Sequence, residues 1–291
     1  MRLACIDIGT NTTRLLVAER ADGDLRPIQG WRAFTRTDGG WRQGDELPAP
    51  AISRLATEVA HQLSIARAAG AQRVRVVATA VVRDTPNREE LLDAIAASCG
   101  VEVEVLSHER EARLAFLGAS RTQVPRPEGS VAVLDIGGGS TELAVGTSRD
   151  GAGWWASLPV GSATVTERWM PSDPPPEAEL RAAREGLARA FARLQPPAAD
   201  LALAVGGSAA TVGSLVGGAL DGPGLERVLA AIIGVTSHDV ASRHGLDPRR
   251  ARVLTGGVLM LERAIGLLGC PLRVGAGGLR EGVILEELER R

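Results

Sequence analysis

The sequence has no lysine and no tyrosine. Without lysine there is no P-loop lysine, no Schiff-base amine and no lysine general base, and all 33 basic residues are arginine. Aromatic residues make up only 3% of the chain, which argues against the stacking platforms that hold single-stranded nucleic acid. The three cysteines, Cys5, Cys99 and Cys270, lie far apart and form no CxxC pair, so they read as buried thiols rather than a disulfide frame or a thiolate metal site. No apolar run approaches the roughly 20 residues needed to span a bilayer. The first apolar run ends at Asp7, too soon for a signal-peptide core, so the expected location is the cytoplasm with no membrane partner. A formal charge of −2 supplies no global field for a nucleic acid polymer, and a polyanionic ligand would need a local concentration of arginine.

What is present suits two domains, since 291 residues exceed a comfortable single core. Short apolar runs ending in Gly, Asp or Ser alternate with amphipathic stretches, an α/β pattern with antiparallel hairpins at two places. Strands are expected at Leu3–Ile8, Leu15–Ala18, Val74–Ala80, Val101–Leu106, Val131–Ile136, Leu143–Val145, Leu201–Val205 and Leu272–Val274. Among the expected helices are Ala49–Ala69, Glu109–Ser120, Ser208–Val216, Arg249–Leu268 and Leu279–Arg290. The loop-like Thr122–Gly129 stretch marks the boundary, giving domains 1–125 and 126–291.

The segment Leu3–Val17 aligns without gaps on Val131–Val145 at an offset of 128 residues. Asp7/Asp135, Ile8/Ile136, Gly9/Gly137, Thr13/Thr141, Leu15/Leu143 and Val17/Val145 coincide. A duplicated domain accounts for this better than chance. In each copy an acidic residue ends a strand and a turn of small residues follows. Small side chains let backbone N–H groups converge on an anion, and the neighbouring Asp can hold Mg²⁺. Thr10, Asn11, Thr12, Ser140 and Thr141 add short donors, and Gly137–Gly139 supply amides. The alternative for one isolated copy is a plain hairpin with a Gly turn. Gly206-Gly207-Ser208, after strand Leu201–Val205, opens a helix whose N-terminus could seat phosphate, though it equally suits tight packing. Val274–Gly282 repeats the theme, with Arg280 available for an anion or, alternatively, as part of an ordinary helix start.

These motifs resemble the exopolyphosphatase / guanosine pentaphosphate phosphohydrolase family of the actin-like superfamily. The resemblance is carried by Ile6–Leu15, Ala78–Asn87, His108–Leu114, Asp135-Ile-Gly-Gly-Gly-Ser-Thr-Glu142, Ser157-Leu-Pro-Val-Gly161 and Gly278-Leu-Arg-Glu-Gly282. It implies two ribonuclease-H-like domains with the active site in the cleft between them. It implies Glu111 as the catalytic acid that orients and deprotonates water, which the sequence alone does not single out from Glu109. It further implies Asp135 and Glu142, with Asp7 on the first hairpin, as carboxylates for Mg²⁺ or another divalent cation. Arg83 would contact phosphate beside Thr10, Asn11, Thr12, Gly137, Gly138, Gly139, Ser140, Gly207 and Ser208. The implied activity is hydrolysis of the terminal phosphoanhydride of inorganic polyphosphate, with the guanosine pentaphosphate (pppGpp) 5′-phosphohydrolase as alternative. A non-catalytic, nucleotide-binding actin-like protein is the alternative of another class, and a homodimer is compatible with the family.

Two departures stand out. The family carries a basic residue soon after Ser157–Gly161 where this chain has Ser162-Ala-Thr164. Longer members continue into an HD-type helical domain, so this chain reads as a short form, with short substrate chains as the expected preference. His61, His108 and His244 read as ordinary surface or loop residues.

Overall fold

Leu3, Ala4, Cys5 and Ile6 are all buried, the mark of a strand covered on both faces. This strand, β1 (Arg2–Ile8), is the centre of the first of two sheets in the computed structural model, which describes residues 1–21, 23–35 and 44–290. β1 pairs antiparallel with β2 (Thr12–Ala21), and β2 with β3 (Asp24–Phe34). Helix α1 (Ala49–Ala68) crosses over to β4 (Arg73–Ala78), parallel to β1. Then α2 (Ala80–Arg83) and α3 (Arg88–Cys99) lead to β5 (Val103–Val105) and α4 (His108–Arg121). The sheet order is β3-β2-β1-β4-β5.

The second sheet repeats this plan with β6 (Ser130–Ile136), β7 (Thr141–Thr147) and β8 (Gly151–Leu158) as a meander. Helices α5 (Ser162–Trp169) and α6 (Glu177–Phe191) cross to β9 (Leu201–Val205), parallel to β6. After it come α7 (Gly206–Val216), α8 (Gly222–Ile232), α9 (Ser237–His244), α10 (Pro248–Arg252), α11 (Leu254–Leu268) and β10 (Arg273–Val274), and α12 (Leu279–Glu289) follows. The order β10-β9-β6-β7-β8 is that of the first sheet, strand for strand, as two ribonuclease-H-like, actin-like folds require.

The duplication reaches into the register. Asp7 faces Arg14 on β2 and Val77 on β4, and Asp135 faces Glu142 on β7 and Val205 on β9. A register shift falls between Val17 and Ala18 in one sheet and between Val145 and Gly146 in the other. All of these pairs keep the sequence offset of 128. Two unrelated meanders would not share an irregularity at matching positions.

The sequence pattern misses β3 and β8. β3 is an edge strand, exposed along most of its length and interrupted by Pro27 and Gly30, so it has no apolar alternation to read. The short helices α5 and α9 are missed as well, and the expected helix Arg249–Leu268 is broken at Val253 into α10 and α11. The division of the chain also differs from a single cut near residue 125. One compact unit is Met1–Thr122 with Gly277–Arg291, and the other is Gln123–Ala276. The reason is hydrophobic. Leu279, Val283 and Ile284 of α12 are buried with Leu3, Cys5, Leu16, Val77, Leu106 and Leu114, on a different face from the cluster that holds α1 and α3. Without α12 that face of the first sheet would be partly bare.

Ile284→Ala is therefore expected to cost about 2–5 kcal/mol. Hydrogen exchange should show lost protection in β1 and β4 and none in β6 and β9. Equal loss in both sheets would contradict the assignment of α12 to the first unit.

Candidate functional site

Each hairpin turn is closed the same way. The Gly9 N–H donates to the Thr12 carbonyl at 3.1 Å, and the Gly137 N–H to the Ser140 carbonyl at 3.0 Å. A Cβ on either glycine would sit 3.2 Å or 3.0 Å from that same oxygen, a crowded contact that the turn would have to yield to by a few tenths of an ångström. The glycine of each Asp-Ile-Gly thus suits its tight turn. In the first unit Thr10 and Thr12 are buried, and Asn11 accepts at its carbonyl from the Thr35 N–H at 3.1 Å, tying the turn to the end of β3.

Across the sheet, directly opposed residues share a face. The first unit aligns Asp7 with Arg14 and Arg14 with Arg32. The second aligns Asp135 with Glu142 and Glu142 with Ser157. Asp7 Oδ1 is buried without a hydrogen-bond partner among the described residues, and burial raises its pKa, opposed by the nearby charges of Arg280 and Arg14. Glu142 is 2% exposed, and its carboxylate accepts from the Ser157 hydroxyl at 2.9 Å and the Ser140 hydroxyl at 3.3 Å. The sequence alignment carries the signal for Arg14, because the offset of 128 lays it on Glu142 with opposite charge.

Helix α4 begins at Ser107, whose hydroxyl accepts from the Arg110 N–H at 3.2 Å. In its first turn Glu109 lies on the surface and pairs with Arg113, whereas Glu111 is 6% exposed. Arg83, at the end of α2, donates through Nη1 to Glu111 Oε2 at 2.8 Å and to the Leu106 carbonyl at 2.9 Å. Its Nε lies 3.5 Å from Asp84, and its buried Nη2 has no hydrogen-bond partner among the described residues. Tertiary structure thus separates the two glutamates that sequence spacing leaves equivalent. His108 is partly buried instead of lying free on the surface, and burial followed by the charge of Arg83 lowers its pKa, with Asp84 opposing.

In the second unit, the Gly137 carbonyl accepts from the Ser162 N–H at 3.0 Å, and the Gly138 carbonyl from Ala163 at 3.0 Å and Thr164 at 3.2 Å. Ser162-Ala-Thr164, where a basic residue was expected, is the first turn of α5 and braces the glycine loop. Because a trans peptide points C=O and N–H oppositely, the Gly138 and Gly139 N–H groups face away from α5. Gly161 allows this approach, since its Cβ would fall 2.7 Å from the Gly137 oxygen. Gly206 has φ +89°, and a Cβ there would meet Asp135 Oδ1 at 2.7 Å, so the start of α7 packs against that carboxylate. The Ser208 side chain packs instead on Gly257 of α11, leaving its backbone as what it offers an anion. Gly207 is covered by the Arg250 guanidinium, within 2.7 Å of where its Cβ would be. Arg250, on α10, brings positive charge to this loop, and nothing in its local sequence marks it.

The donor set fits Mg²⁺. The described residues hold no cluster of three or more acidic, His or Cys groups suited to a metal. A pair such as Asp135 and Glu142 matches the habit of Mg²⁺, which takes one or two carboxylates and completes its shell with water and substrate phosphates. The orphaned Asp7 Oδ1 is also the kind of atom that a cation or its water would satisfy.

A model of the Ppx/GppA phosphatase family matches residues 16–291, and the chain belongs to that family. It is 30% identical over 307 residues to Exopolyphosphatase 1 of Mycobacterium tuberculosis, covering 99% of this chain and 89% of the relative. Among solved structures, the PPX-GPPA enzyme of Aquifex aeolicus is 28% identical with a TM-score of 0.82, over 98% of this chain and 99% of its own. An exopolyphosphatase from Cytophaga hutchinsonii matches in fold, with a TM-score of 0.89 at 22% identity over 100% and 98% of the two chains. No helix among the described residues is long and apolar enough to cross a membrane.

The environment of His108 has a consequence for stability. Its folded pKa lies below 6.5, so between that lowered value and 6.5 the unfolded chain binds a proton that the folded protein refuses. Stability contributed above pH 6.5 is lost as pH falls through this window. His108→Gln should flatten that part of a plot of urea midpoint against pH; an unchanged slope would mean His108 does not titrate differently on folding.

Proposed function

We propose that this member of the Ppx/GppA phosphatase family hydrolyses the terminal phosphoanhydride of inorganic polyphosphate, releasing orthophosphate with Mg²⁺ or another divalent cation. The observation that carries the reading is Glu111, buried at 6% exposure in the first turn of α4 and held by Arg83 at 2.8 Å. A buried carboxylate fixed by a guanidinium is suited to accept a proton from water, because its oxygen has one orientation instead of many. Glu111 takes that proton as the water attacks in line. Arg83, with Nη2 still uncommitted, is suited to the equatorial oxygens of the phosphoryl group.

In the second unit the Gly138 and Gly139 amides are suited to donate to phosphate oxygens, and Arg250 beside Gly207 is suited to hold a phosphate. Asp135 and Glu142 would hold the cation, with Asp7 the matching acid of the first hairpin. When bound, the cation offsets phosphate charge and orders the chain for displacement. In the first unit Thr10, Asn11 and Thr12 form the turn beside Asp7 and contribute its backbone amides. The absence of any lysine-based chemistry is in keeping with this reading.

Phosphate release from short and long polyphosphate, pppGpp and ATP, with and without Mg²⁺, tests it. Polyphosphate should be the preferred substrate and Glu111→Gln should lower kcat by about 10²–10⁴-fold with little change in KM. Preference for pppGpp would move the substrate to the nucleotide while keeping the chemistry. No release from any polyphosphate length, or a fully active Glu111→Gln enzyme, would sink the proposal. Arg250→Ala should act differently, raising KM by about 10-fold or more with a smaller effect on kcat, as loss of a binding contact does.

A further inference from the structure

The Gly278-Leu-Arg-Glu-Gly282 segment resembles a phosphate loop in sequence, yet its residues are used for something else. The Gly278 N–H donates to Glu281 Oε2 at 2.8 Å, a cap closing the start of α12. Arg280 Nη1 donates to the Leu15 carbonyl on β2 at 3.3 Å. Gly278 and Gly282 press on α4. A Cβ on Gly118 would overlap the Gly278 carbonyl oxygen and lie 2.6 Å from the Gly282 nitrogen. A Cβ on Gly282 would overlap the Leu114 carbonyl oxygen and lie 3.1 Å from the Gly118 nitrogen. Backbone meets backbone in both directions, so no side chain can shift to absorb a change.

Gly118 lies about two turns from Glu111 on the same face of α4. Further along α12, Glu286 takes Arg75 of β4 at 2.9 Å and also pairs with Arg110, the residue before Glu111. We propose that α12 is the positioning element for Glu111, with Gly118, Gly282 and Glu286 as its positioning residues. The glycine contact sets the height of α4, Glu286 sets the position of its first turn against β4, and Arg280 ties α12 to the hairpin strand that carries Arg14. The site thus owes the placement of its proton acceptor to a segment far away in sequence. This inference rests on the proposed role of Glu111.

The test is a double-mutant cycle on the full-length protein. Gly282→Ala should lower kcat on polyphosphate by about 10²-fold, the cost of displacing a catalytic group by roughly 1 Å, with KM within about twofold. In a Glu111→Gln background it should cost nothing further, since the group it positions is already lost. If Gly282→Ala does not fold, Glu286→Gln, which adds no bulk, takes its place in the cycle with an expected loss of about 10-fold in kcat. Full additivity with a disabled Glu111→Gln enzyme, a rise in KM alone, or an unchanged kcat would overturn the positioning role. A fully active Glu111→Gln enzyme would instead remove the catalytic reading on which it rests.

Discussion

In each unit a glycine N–H donates to the carbonyl three residues on, at 3.1 Å in one hairpin and 3.0 Å in the other, and the candidate site hangs on that bond. A Cβ on the glycine would crowd the bond, which fixes how far β1 and β6 run before the chain turns back. Once the turn is fixed, so is the register, and with it the residue facing each strand-end aspartate. Arg14 faces Asp7, and Glu142 faces Asp135. The chemical character of each hairpin is therefore decided by one position on the returning strand.

Around this bond the structure is held by backbone packed on backbone. Gly161 lets α5 donate its first amides to the loop carbonyls, Gly206 turns β9 into α7 against Asp135, and Gly118 and Gly282 let α4 and α12 touch. Each glycine costs conformational entropy on folding, roughly 0.5–1 kcal/mol more than alanine in a regular element. The offset comes from the apolar clusters beneath, such as Leu3, Val77, Leu114 and Val283, which bury the surfaces these contacts bring together. What is gained is precision, because carbonyls and amides have no rotamers.

This explains which features were legible in the sequence. The central strands, the hairpins and the duplication are local patterns, and Asp7, Asp135 and the Gly137–Ser140 loop follow from them. The edge strand β3 carries little pattern because it is exposed along most of its length, and β8 has only Ala152 and Leu158 buried, too few to alternate. Glu111 and Glu109 both open the same helix, and only Arg83, arriving from α2, distinguishes them. Arg250 reaches Gly207 by tertiary packing alone, and the return of α12 to the first sheet is decided by a bare apolar face. Family resemblance named Glu111 and Arg83, and the geometry adds the reason they belong together.

The two hairpins began alike and carry different charge. Two carboxylates opposed across a strand pair repel, and burial makes that worse unless donors or a cation compensate. Ser140 and Ser157 donate hydrogen bonds to Glu142. In the first unit Arg14 already stands opposite Asp7, with Arg280 nearby, so that row is partly neutral without any ion. Duplication supplied two copies of one glycine turn. A single cross-strand residue, Arg14 in one copy and Glu142 in the other, sets the charge that faces the strand-end aspartate.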